Sequence, residues 1–309
     1  MIDHDELSVT ITKRRKEQAA RERTSPPDYV RIGPLISAVM DGARWRGQNA
    51  FPSSQVWSDE VERVFAFAVA RGQFGKYLPR LRGRWKEFGS ALAELRVAFY
   101  LDRNQFRVTA WEPTGASGVK GEGEFLVTGP SGSPTFVEVK SPGWEGELSA
   151  EEIMLGRKSQ PKHLYCEARA VGPWERVQFE VQKAYKKFKH DTPNLLVIAD
   201  DLFVSLEYGT DLQMGMALYE KRNNGCFADS KYENLGAVGA FWPVGDGREV
   251  WYEMKLYINA NALKSSAIPE DMRLAFKERT TDSSSQDSSK FDDLNATPLQ
   301  QYLRNPSIW

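Results

Sequence analysis

Apolar residues along this chain change their spacing several times, and each change marks a predicted element. Between Trp85 and Leu101 they recur three and four apart, at Trp85, Phe88, Leu92, Leu95 and Phe99, which predicts an amphipathic helix. Three runs rich in β-branched and aromatic residues follow: FRVTAW (106–111), EFLVT (124–128) and TFVEVK (135–140). Gly, Ser and Pro separate them, so they predict strands. The helical period returns in ERVQFEVQKAYKKFK (175–189), where Val177, Val181, Ala184, Tyr185 and Phe188 share a face. After Pro193, LLVIAD shows no polar alternation, as in a central strand covered on both sides. AVGAFW (237–242) and VWYEMKLYI (250–258) extend or flank the sheet. A helix, three strands, a helix and a strand in that order predict a mixed α/β sheet with helices on both faces.

Outside this stretch the patterning weakens. Residues 1–30 form a basic arm ending at Pro26-Pro27. Residues 31–84 predict a helical N-terminal extension, clearest in SDEVERVFAFAVARG, with Ser58 as N-cap and Gly72 as the stop. The α/β core is expected over 85–265. Residues 266–309 are expected to be a flexible Ser/Asp-rich tail, too polar to offset its chain entropy, with a short apolar terminus.

Composition narrows the function classes. Lys and Arg total 41 and Asp and Glu 42, a net charge of −1, so any polyanion site must be local. Two cysteines, Cys166 and Cys226, fit neither a disulfide framework nor a zinc-site spacing. The chain has no long apolar run and no GxxxxGK[ST] loop, so a cytoplasmic protein without membrane contact or nucleotide cofactor is expected.

Charges on the apolar elements are the candidate chemistry. Side chains alternate along a strand, so Phe136, Glu138 and Lys140 share one face of TFVEVK and Val137 and Val139 the other. Glu94 sits among Ala91, Ala98 and Leu101 on the first helix, and Glu122 and Glu124 open the second strand. If these acids converge, burying them unpaired costs several kcal/mol each, and a divalent cation relieves that cost. Plainer readings stay open. An exposed strand face often alternates Glu and Lys to make cross-strand ion pairs, and Glu94 can pair with a basic residue.

An acid on a first helix, an acid opening a second strand and Glu-x-Lys in a third, then a helix and a strand, resemble the PD-(D/E)xK nuclease superfamily. The resemblance spans roughly residues 85–205. It implies a restriction-endonuclease-like, three-layer α/β/α core and a nuclease that hydrolyses phosphodiester bonds with Mg²⁺ or Mn²⁺. By that likeness Glu94, Glu124, Glu138 and Lys140 are catalytic. The metal falls to Glu124, Glu138 and Val139, with Glu94 acting through water and Glu122 as the alternative to Glu124. The family usually has Asp where this chain has Glu124, which keeps open a nuclease-like fold that binds nucleic acid or assembles without cutting. DNA is favoured over RNA as the partner, endonuclease over exonuclease, and a homodimer or partner subunit is compatible. Arg80, Arg82 and Arg84 in RGQFGKYLPRLRGRWK, Lys158 in the 141–173 insertion, and Lys183 and Lys187 on the second helix are the candidate nucleic-acid contacts. Defence, repair and mobile-element processing would all use such a core.

Overall fold

The structure, a computed structural model, describes residues 30–44, 54–118, 123–141, 173–199, 207–228, 230–245 and 248–279. The basic arm, Glu122, Asp200 and Asp201, and the insertion with Lys158 and His163 lie outside the described residues. The chain divides into Met1–Glu278 and Arg279–Trp309, and the elements described next belong to the first unit.

Helices α1 (Pro34–Met40), α2 (Gln55–Ala70), α3 (Phe74–Leu81) and α4 (Trp85–Arg103) precede a sheet of β1 (Arg107–Trp111), β2 (Phe125–Thr128) and β3 (Pro134–Lys140). Helix α5 (Pro173–Tyr185), β4 (Asn194–Ala199), α6 (Glu207–Leu218), β5 (Ala237–Gly245), β6 (Val250–Ile258) and α7 (Glu270–Ala275) complete the unit. Strands β1 to β6 lie in sequence order. The pairs β1–β2, β2–β3 and β5–β6 are antiparallel, whereas β3–β4 and β4–β5 are parallel. The sheet is therefore mixed. Its two parallel joins are the connections that contain α5 and α6, as a parallel crossover requires.

Alternation along the strands builds two cores. Val137, Val139, Leu195 and Val197 pack with Ala93, Val97 and Leu101 of α4 on one face. Phe136, Leu196 and Ile198 pack with Val177 and Val181 of α5 and Met214 and Ala217 of α6 on the other. All six residues of β4 are buried because helices cover both of its faces.

Helix α4 departs from a simple amphipathic pattern. Every residue from Ala91 to Ala98 is buried. One side of α4 meets the sheet, while Phe88, Ala91, Leu92 and Leu95 meet Ile36, Val61, Phe65, Tyr77 and Leu81 of the preceding helices. The N-terminal helices thus form a further layer over α4. Arg96 is buried and donates to Glu60 at 2.9 and 2.7 Å.

Ser58 is not the N-cap of α2. The helix begins one turn earlier, after Ser54, and the Ser58 hydroxyl donates to the Arg31 carbonyl at 2.8 Å. Gly72 does end the helix, with φ +66°, a left-handed conformation that suits glycine. The expected tail boundary at 266 falls inside the folded unit. Ile268, Met272 and Phe276 are buried against the α4 side of the sheet, a contribution too sparse in spacing to stand out from a polar sequence. No helix among the described residues is long and apolar enough to cross a membrane.

Candidate active site

Strand β3 aims Glu138 and Lys140 to the α5 side, the face shared with Phe136, while Val137 and Val139 go into the opposite core. Glu138 is fully buried. Continuing the Phe125–Val137 register by one residue places Glu124 across the hairpin from Glu138. Glu124 is held there by its backbone. Its N–H donates to the Val137 carbonyl at 3.2 Å, and its carbonyl accepts from the Glu112 N–H at 3.0 Å.

Each acid has a distinct environment. Lys140 donates to Glu138 Oε1, and Lys187, in the turn after α5, donates to the same oxygen at 2.5 Å. Glu138 Oε2 is buried with no hydrogen-bond partner. Glu94 projects from α4, where Arg80 of α3 grips it with two arms, Nη1 donating to Oε2 at 2.6 Å and Nη2 to Oε1. The Ser90 hydroxyl also donates to Glu94, at 3.2 Å, and the Tyr77 hydroxyl lies close enough to feel its charge.

Electrostatics tie these groups into one cluster. Burial, then the charges of Glu94 and Glu138, push the Glu124 carboxyl up to about 8, against the pull of Lys140 and Lys187. Burial first, and the two neighbouring carboxylates after it, therefore favour the protonated form of Glu124. Burial opposes the charge on Lys140, yet Glu138, and to a lesser extent Glu124 and Glu180, hold its ammonium above the ordinary range. Burial and then Glu94 and Glu124 raise the Tyr77 hydroxyl.

The six nucleic-acid candidates separate in space. Arg80 and Lys187 belong to this cluster, each spending its charge on an acid of the site. Arg82 donates to the Ala38 carbonyl, at 2.6 Å from Nη2, and so fastens α3 to α1. Arg84, next to α4, and Lys183, on α5, are exposed. Lys158 lies outside the described residues, as does Glu122, the alternative acid.

One member was read for another role and one escaped the sequence reading. Tyr77 stands in the Arg-rich run as an aromatic suited to stacking bases, but here the Arg80 guanidinium lies 5.6 Å from its ring. Glu180 did carry a signal. It lies on α5 among buried Val177, Val181 and Ala184, so the argument that singled out Glu94, an acid on an apolar helix face, applies to it equally. Its Oε2 is buried without a partner, and its charge acts on Lys140.

Among the described residues no three His, Cys, Asp or Glu side chains are grouped so that they could hold a metal ion. The donor set nonetheless suits a hard cation: it offers carboxylate oxygens, one of them buried and unpartnered, and a mutual repulsion that a positive charge relieves. No family model matches the chain, and no curated protein or solved structure gives a match either.

Proposed function

We propose that this protein is a divalent-cation-dependent nuclease of the PD-(D/E)xK type, with a restriction-endonuclease-like core, acting on phosphodiester bonds in DNA. One observation carries the reading: Glu124 stands across the β2–β3 hairpin from Glu138, with Lys140 two residues further along the same strand face. The order α4, β1, β2, β3, α5, β4 supports it, since the resemblance implies that order.

In this reading Glu124, Glu138 and the Val139 carbonyl hold Mg²⁺ or Mn²⁺, with Glu94 in support through water. The cation would supply Lewis acidity to the phosphate and acidify a bound water. Lys140 orients the attacking water and offers its positive charge to the phosphate oxygens as negative charge builds there. Hydrolysis adds water across one P–O ester bond: the hydroxyl joins phosphorus, and the departing oxygen takes a proton. The apolar layers around Glu138 keep solvent from screening these charges.

A second reading rests on a different observation. Arg80 holds both oxygens of Glu94, and two lysines hold one oxygen of Glu138, so the acids are already neutralised within the chain. A nuclease-like fold that binds nucleic acid without cutting it would look the same. Incubating the purified chain with linear, circular and single-stranded DNA in Mg²⁺, Mn²⁺ or chelator separates the two, with Lys140→Ala in parallel. Metal-dependent cleavage that disappears in a folded Lys140→Ala variant supports the nuclease. Salt-sensitive DNA binding indifferent to chelator, with no cleavage, supports the second reading.

A further inference from the structure

The least expected member of the cluster is Lys187. It lies beyond the end of α5, on an element that the Glu-x-Lys strand does not include, yet its ammonium reaches Glu138 Oε1 at 2.5 Å. Lys140 already donates to that oxygen, so two ammonium groups converge on one carboxylate oxygen while the other is left bare. Two cations on one acid repel each other, and a single salt bridge would satisfy the acid more simply. The Lys187 side chain retains 30% of its exposure, against none for Glu138. The lysine side chain therefore already borders solvent. Its backbone is held in place, because the Lys187 N–H donates to the Ala184 carbonyl at 2.9 Å and its carbonyl accepts from the Ala116 N–H at 3.0 Å.

We infer that Lys187 is an internal stand-in cation: its ammonium occupies Glu138 in the cation-free protein and is expelled when a divalent cation takes that carboxylate. The inference rests on the metal-dependent reading and adds a residue that the Glu-x-Lys pattern does not contain. Fully buried Glu138 must be neutralised at all times, or its charge costs several kcal/mol. Lys140 is built into β3 and stays beside it. Lys187 supplies the exchangeable half. Once displaced, its ammonium remains at the mouth of the site, tethered by the fixed turn, where a substrate phosphate is the natural next partner. Lys187 is thus a positioning residue, and its competition with the cation is its signature.

Competition fixes the direction of the test. Removing a stand-in tightens cation binding, whereas removing a mere structural prop leaves binding unchanged or weakens it. Mn²⁺ binding to the full chain is measured by titration calorimetry for wild type, Lys187→Met, Lys187→Arg and Lys186→Met. Lys186 is the exposed neighbour in the same turn, so its variant reports any general effect of lost positive charge. Lys187→Met is expected to bind Mn²⁺ about tenfold tighter or more, the order expected for a unit charge removed from contact distance. Lys187→Arg and Lys186→Met are expected to stay near wild type. Thermal melts in chelator accompany the titration: Lys187→Met should melt lower than wild type, and Mn²⁺ should raise it by a larger increment. Mn²⁺ binding by Lys187→Met that is no tighter than by wild type overturns the inference while sparing the nuclease reading. Absence of Mn²⁺ binding in every chain overturns both. If Lys187→Met does not fold, Lys187→Gln, which keeps a hydrogen-bond donor on a shorter side chain, is held to the same expectation.

Discussion

Arg80 and Glu94 form a two-armed ion pair that joins α3 to α4, with Nη1 2.6 Å from Oε2 and the second nitrogen on Oε1. The pair is lopsided: the glutamate side chain is 3% exposed and the arginine 43%. Losing the arginine therefore strands a buried charge, whereas losing the glutamate frees an arginine that water can solvate. Arg80→Met should cost about 1–3 kcal/mol of stability. Glu94→Gln, which keeps the shape and a hydrogen-bonding group, should cost less. Denaturant unfolding of both variants checks the order, and equal losses would show that burial of Glu94 is not what makes the pair matter.

Glu124 gives the protein a pH dependence of unusual sign for a carboxylate. Its folded value is raised from 4.5 to about 8 by burial and by Glu94 and Glu138. Between those limits the folded chain keeps a proton that the unfolded chain has released, so folding takes up a proton. The contribution to stability is complete below 4.5 and is lost as pH rises through about 8. In chelator, the melting temperature of wild type should fall across this range relative to Glu124→Gln, which carries no titrating group there. Two curves that run parallel would refute the placement of Glu124 among the other acids.

A second buried charge lies on the opposite side of α4 from chemistry. Arg96 donates to Glu60 at 2.9 and 2.7 Å, and the Tyr252 hydroxyl donates to Glu60 Oε1, linking α2, α4 and β6. Arg96→Met leaves Glu60 charged and buried, and about 3–5 kcal/mol of destabilisation is expected. Tyr252→Phe removes one charge-assisted hydrogen bond and should cost about 1.5–3 kcal/mol. Replacing Glu60 with Gln in the Arg96→Met background should recover part of the loss. Chemical denaturation of the three variants measures it, and a double variant no more stable than Arg96→Met would show that the stranded charge is not the cause.

How much of this could be read from the chain depends on range. The strands and the mixed sheet are written in local alternation, and β4 declares its central place by the unbroken apolar run that follows Asn194. Glu138 and Lys140 follow from the same alternation, since period two alone puts them on one face. What alternation cannot encode is which charge meets which. Arg80 finds Glu94 from 14 residues away, Lys187 finds Glu138 from 49, and Tyr252 finds Glu60 from 192. Arg80 and Lys187 read as basic surface positions because helix periodicity reports burial of a position, not the partner of a flexible cation. The all-round burial of α4 was similarly hidden, because its second apolar side is covered by helices whose packing is set by tertiary contact alone.

Gly123 tests whether the site depends on a close approach that no titratable group makes. A Cβ built at this glycine would lie 2.2 Å from Cζ of Phe136 and 2.6 Å from Cε2. The ring cannot easily retreat, because it is buried and packs edge-on to Phe188 with centroids 6.1 Å apart. Gly123→Ala must therefore move either the Phe136 ring or the backbone that carries Glu124. Overpacking of this kind costs about 1–3 kcal/mol. If the backbone yields, Glu124 leaves its position across from Glu138, and Mn²⁺ affinity falls together with stability. If the ring yields, stability falls alone. The companion variant Phe136→Leu opens space on the same face, and in combination with Gly123→Ala it should restore Mn²⁺ affinity while the melt stays below wild type. Calorimetric titration of the single and double variants decides between the two. A Gly123→Ala protein with wild-type stability and wild-type affinity would mean that the glycine does not hold Glu124 in place.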